Sequence, residues 1–240
     1  MESATELVRS SGLIFTGTVL ERGRSTVPQL PSSPDLVVVR IDRGIRVDPV
    51  LGDLSGKDIT VVPIASEELK PGQRAVFFTN SWIHGQGIAV REVRHLDVAE
   101  ERAVAQAVND LPRVHIVERL QSAELVAHAQ VARVSLVERT RFASNDAIWA
   151  KAELKILETL RGKKRAKANL YFPTSNHPKW ASAPRFEEGE RAILALHAPN
   201  REATPSEATL EPGALVALDP DDFQPESQRS EIEGLLGTIK

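Results

Sequence analysis

The chain of 240 residues contains no cysteine, one methionine and one tyrosine, and aromatics make up only 5% of it. Without cysteine there are no disulfides, no thiolate nucleophile and none of the usual structural zinc sites. Few aromatics leave little for a protein that works by stacking bases. Charge of one sign is also lacking: the formal net charge is −3, so no overall field draws the protein to nucleic acid or an anionic membrane. No apolar run approaches the roughly 20 residues of a membrane span. The first residues, MESATELVRSSG, lack a basic segment followed by an apolar stretch, so a cytoplasmic location is the default expectation. A mature exported chain with its signal peptide removed would read the same way.

Catalytic signatures are missing too. The six histidines (His84, His95, His115, His128, His177, His197) show no H-x-x-x-H spacing, and neither a G-x-S-x-G elbow nor a phosphate-cradling glycine loop is present. No catalytic residue, metal or cofactor is therefore expected, and the chain reads as a non-enzyme. The acidic LDPDDF (Leu218–Phe223) lacks the glycine and terminal glutamate of a calcium loop. It reads as a turn ahead of the last helix, with Asp222 or a neighbour favouring that helix's N-terminus.

What the sequence does contain is repetition. LKPGQRAVFF (Leu69–Phe78) returns as FEEGERAILA (Phe186–Ala195), matching Gly72 to Gly189 and Arg74 to Arg191. TELVRSSGLIFTGTVLER (Thr5–Arg22) aligns with AELVAHAQVARVSLVER (Ala123–Arg139) if one residue between Val8 and Leu20 is deleted. VVVRIDRGIR (Val37–Arg46) aligns with KAELKILETLR (Lys151–Arg161), pairing Val39, Ile41 and Ile45 with Leu154, Ile156 and Leu160. DITVVPI (Asp58–Ile64) aligns with KANLYFP (Lys167–Pro173). Four matches in the same order indicate a duplication, with domains at 1–112 and 113–240.

Within a copy the apolar period is mostly two, as in LIFTGTVLER and DLVVVRIDRGI, which predicts strands. Each copy opens on a short helical segment, SATELVRSS or RLQSAELVAHA. Each closes on an amphipathic helix: Val104, Ala107, Val108 and Leu111 before Pro112 stops the first, and Ile232, Leu235, Leu236 and Ile239 in the second. The expected fold is mainly β with flanking helices (α+β): two tandem five-stranded barrels of the oligonucleotide/oligosaccharide-binding (OB) type.

The run ELVRSSGLIFTGTVLE, the strand VVVRIDRGIR, then KDITVV and LKPGQRAVFF resemble the netrin-like barrels related to the tissue inhibitors of metalloproteinases, in the form bacterial proteins carry. The second half is similar at ELVAHAQVARVSLVER, AELKILETLRGKK and FEEGERAILAL. The resemblance implies the barrel fold. It does not carry over the inhibitory mechanism, which places an N-terminal cysteine on the target's zinc.

Candidate sites lie where the copies differ. NSWIHGQG (Asn80–Gly87) offers Trp82 and His84 as a recognition loop, or a plain hairpin loop whose Trp82 folds back over the barrel end. FPTSNHPKWASAPRF (Phe172–Phe186) offers His177, Lys179 and Trp180 for partner binding. LRGKKRAKA (Leu160–Ala168) offers Lys163, Lys164 and Arg165 as candidate anion-binding residues, against a solvated hairpin loop. The leading expectation is a non-enzymatic protein-binding or scaffold protein that presents these loops to a protein partner. A single-stranded nucleic-acid binder is the first alternative, disfavoured by charge and composition. An unrecognised hydrolase is the second.

Overall fold

The computed structural model describes residues 3–65, 68–85, 87–137, 148–175, 178–200 and 210–239. The chain is mainly β and divides into two compact units, Met1–Pro112 and Arg113–Lys240. In the first unit α1 (Ala4–Ser10) opens on a capping box, with the Ser3 hydroxyl accepting from the Glu6 amide and the Glu6 carboxylate returning to Ser3. Five strands follow: β1 (Leu13–Arg22), β2 (Val37–Arg46), β3 (Asp58–Val62), β4 (Arg74–His84) and β5 (Ile88–Asp97). They close a barrel in the order β1-β2-β3-β5-β4, with β3 and β5 parallel and every other pairing antiparallel.

Alternation sorts the side chains. Phe15, Val37, Val39, Ile41, Val61, Phe77 and Val90 fill the barrel, where Phe15 and Phe77 stack at 5.3 Å. Ile14, Val76 and Phe78 face outward under α1 and the first half of α2 (Glu101–Ser122), meeting Leu7, Val8, Val104, Ala107, Val108 and Leu111. Emptying a site such as Phe77 costs about 3–5 kcal/mol in a core of this density.

The second unit, where a second five-stranded barrel was expected, is a six-stranded sheet of β6 (Leu125–Leu136), β7 (Trp149–Gly162), β8 (Lys167–Pro173), β9 (Arg191–Leu196), β10 (Leu215–Val216) and β11 (Phe223–Pro225), followed by α3 (Arg229–Thr238). Its sheet runs β10-β8-β7-β6-β9-β11, and a bridge between His197 and Val216 ties β10 to the end of β9. Ile116, Val117 and Leu120 from the second half of α2 pack with Ile232 and Leu235 of α3 against Val126, Ile193 and Ala195.

The register defines which residues correspond. Gly72 N–H donates to the Val19 carbonyl and Val19 N–H to that of Gln73; Gly189, Val131 and Glu190 repeat both bonds, at 2.8 and 2.9 Å in each copy. Both glycines have φ near +85° (82° and 87°) and sit at the third position of a turn closed by Gln73→Lys70 or Glu190→Glu187. That is a turn with a left-handed glycine running into a glycine bulge, which is why Gly recurs there. The residue after each glycine uses its side chain as well, accepting from the Lys70 or Glu187 amide.

β1 and β6 slip against β2 and β7 at the same places: Ile14/Phe15, Thr16/Gly17 and Val19/Glu21 answer Val126/Ala127, His128/Ala129 and Val131/Arg133. Val39 and Ile41 stand opposite Val19 and Gly17, as Leu154 and Ile156 stand opposite Val131 and Ala129, so those sequence pairings hold.

Three expectations are corrected. Val19 corresponds to Val131, whereas the sequence alignment places Leu136 there, five residues further on. AELVAHA is strand from Leu125, because Leu125, Ala127 and Ala129 join the buried core on one face of the sheet while Val126 lies beneath the helices. Pro112 does not stop α2, which continues to Ser122. The missing amide and ring clash of proline cost helix stability, and burial of Ile116, Val117 and Leu120 offsets that cost.

Candidate functional site

Trp82 is the extra residue of a bulge in β4, between the Ser81–Val90 and Ile83–Ala89 pairs, so it lies in strand where a loop was expected. It is 39% exposed, with the Arg91 guanidinium 4.8 Å above its ring. His84 ends the same strand, and its side chain lies outside the described residues. Beside them the β1–β2 loop is pinned to β3 by Thr26, whose amide donates to the Thr60 hydroxyl at 2.8 Å. A side chain on Gly87 would come within 2.8 Å of the Thr26 carbonyl, so glycine allows the two loops to meet.

In the second unit Trp180 is half-buried and meets Trp149 edge-on at 5.9 Å, with the Lys179 ammonium 4.7 Å over its own ring. The Arg185 guanidinium donates to the carbonyls of Pro173, Ser175 and Trp180, clasping the loop. His177 lies outside the described residues. Lys163 and Lys164 are exposed and line a groove of about 510 Å³ with Lys167 and Asn169. Their neighbours are engaged: Arg165 pairs with Glu124 at 3.0 Å, and Arg161 donates to the carbonyls of Leu120 and Ala123 at the end of α2.

Two polar clusters escaped the sequence reading. Glu92 and His95, three apart on a strand, would point to opposite faces; the extra residue Val93 in β5 brings them together. The buried Glu92 takes His95 Nδ1 at 2.5 Å and the Ile64 amide at 2.9 Å, in a cleft of about 280 Å³ that Glu68 and Arg94 also line. The hydrogen bond to Glu92 raises the His95 pKa above the ordinary histidine value, against the opposing effect of burial.

The other cluster sits where the copies part. Val216 occupies the place of Arg91 and Phe223 that of His95, but six residues separate them where the first unit has three. This inserted turn breaks the strand into β10 and β11 and carries Asp219, Asp221 and Asp222. Asp222 is fully buried, so it does not serve the N-terminus of α3 as expected, a helix with no side-chain cap. Its oxygens accept from Arg119 Nε and Nη2, from His197 Nε2 and from the amides of Leu218 and Asp219, all within 3.0 Å. Burial alone would push this carboxyl up; the bonds from His197, Arg119 and Asp219 outweigh it and hold it below the ordinary value. On the outer side of the turn His115 Nδ1 meets Asp221 at 2.6 Å, while its Nε2 faces Asp219 Oδ2 at 3.7 Å.

No protein-family model matches the sequence, and no curated protein matches it. Among solved structures the chain is similar to a murine DNA-binding protein bound to double-stranded DNA, at 10% identity over 85% of this chain and 92% of that one. The TM-score of 0.22 is too low to carry any argument about fold or function. No helix among the described residues is long and apolar enough to cross a membrane.

Proposed function

We propose that the chain is a non-enzymatic protein-binding scaffold built from two OB/netrin-like barrels. The strand order β1-β2-β3-β5-β4 with parallel β3 and β5 supports the OB-type reading. The observation that carries the function is a difference between equivalent walls. In the second unit Val216 is buried in a cluster with Trp149, Tyr171 and the loop residue Trp180. In the first unit the same position is Arg91, stacked on Trp82 and open to solvent. An aromatic ring under a guanidinium on an exposed wall is the composition of an interface hot spot. Quantitative affinity purification tests this: a protein enriched by the wild type is lost with Trp82→Ala and kept with Lys163→Ala/Lys164→Ala. Identical enrichment by wild type and Trp82→Ala overturns the assignment.

A second reading, a hydrolase, rests on the Glu92–His95 pair, because a carboxylate-oriented imidazole in a cleft is the arrangement of a general base acting on water. Turnover of ester or amide substrates by the wild type but not by His95→Gln would favour it over the scaffold.

A further inference from the structure

The geometry points to a divalent transition-metal site on the second unit, with His115 Nε2 and Asp219 Oδ2 as ligands and Asp221 as the residue that orients the imidazole. His115 and Arg119 stand one turn apart on the same face of α2, and both meet the inserted turn Pro220–Asp222. Arg119 holds Asp222 beneath the turn, which fixes the turn's position from inside. Asp219 Oδ1 accepts from the Asp221 amide at 3.0 Å, leaving Oδ2 directed at His115. Asp221 takes His115 Nδ1 at 2.6 Å.

In the neutral tautomer that gives Nδ1–H to Asp221, the imidazole presents the lone pair of Nε2 to Asp219 Oδ2. In that form two acceptors face each other at 3.7 Å, too long for a hydrogen bond, and either a proton on Nε2 or a bound cation relieves their repulsion. Ligand bonds of about 2.1 Å place two donor atoms roughly 3.0–3.6 Å apart for angles between 90° and 120°, so the observed 3.7 Å is just wider than a shared ion needs and a small closure would seat one. A carboxylate on the far nitrogen is the usual support of a metal-bound histidine. One imidazole with one carboxylate suits zinc, manganese or cobalt better than calcium, which takes oxygen ligands alone. The first unit lacks the site: Ser3 and Leu7 stand where His115 and Arg119 stand, and its β5 lacks the inserted turn.

Cobalt(II) absorption and zinc(II) calorimetry on the full chain test the assignment. The wild type is expected to bind one ion, with d–d bands showing nitrogen and oxygen donors. His115→Ala and Asp219→Asn are expected to abolish binding, and Asp221→Asn to weaken it about 10–100-fold. Asp219→Asn keeps the side-chain oxygen that caps the turn, so loss of binding with an unchanged thermal midpoint separates a ligand from a folding role. No binding by the wild type overturns the proposal, and so does equal binding by His115→Ala or Asp219→Asn.

Discussion

The guanidinium of Arg119 grips both oxygens of Asp222, Nε to Oδ1 at 2.8 Å and Nη2 to Oδ2 at 2.9 Å, on a carboxylate wholly removed from solvent. Removing one partner of such a pair strands the other. Arg119→Leu is therefore expected to destabilise the second unit by about 3–5 kcal/mol, read from urea unfolding. A loss below 1 kcal/mol would show that the pair is replaceable.

The same carboxyl sets a pH dependence. Its pKa is held below the unfolded value, so its stabilisation is fully present above the unfolded carboxylate range and is lost as pH falls through the folded value. Urea midpoints of the wild type should fall on acidification, and those of Asp222→Asn should fall less steeply. Parallel curves would contradict this.

His95 has the opposite sign. Its pKa is raised by Glu92, so the pair stabilises the fold below the unfolded histidine value, and that contribution disappears as pH rises through the folded value. Nitrogen-15 NMR should find His95 titrating above ordinary histidines, and Glu92→Gln should bring it down. A His95 titration that Glu92→Gln leaves unmoved would dissolve the pair.

The glycines separate backbone strain from crowding. Gly72 and Gly189 have positive φ and open space around them, so alanine at either should cost about 1–2 kcal/mol. Gly162 combines φ +96° with a would-be Cβ only 2.3 Å from the Glu124 carbonyl, so Gly162→Ala should cost clearly more than either. Equal unfolding free energies for the three variants would refute the distinction.

Much of this fold was legible in the sequence. LIFTGTVLER is β1 to the residue, because its alternation reflects one face in the barrel and the other under the helices. Gly72 and Gly189 were readable because left-handed backbone selects glycine. The Ala123–Arg139 match misled because it followed residue identities and set the buried Val19 against the exposed Leu136; hydrogen bonding to the glycine bulge fixes the register. Helix formers in AELVAHA suggested helix, and burial of both faces made strand. The polar clusters were illegible for another reason. Glu92 and His95 meet through a bulge, and Asp222 draws Arg119 from 103 positions away, which no local spacing records.

The central claim is that both units share one register, with Val131 equivalent to Val19. A chain without cysteine allows a direct test by engineered disulfides. Residues opposite one another on antiparallel strands lie within disulfide reach. Thr18 stands opposite Arg74, and Gln130 opposite Arg191, whereas Ser135, the partner assigned by the sequence alignment, stands opposite Lys151 on β7. Under mild oxidation, Thr18→Cys/Arg74→Cys and Gln130→Cys/Arg191→Cys should both form an intrachain disulfide, detected by mass spectrometry, and Ser135→Cys/Arg191→Cys should not. A cross-link through position 135 with none through position 130 would contradict the shared register.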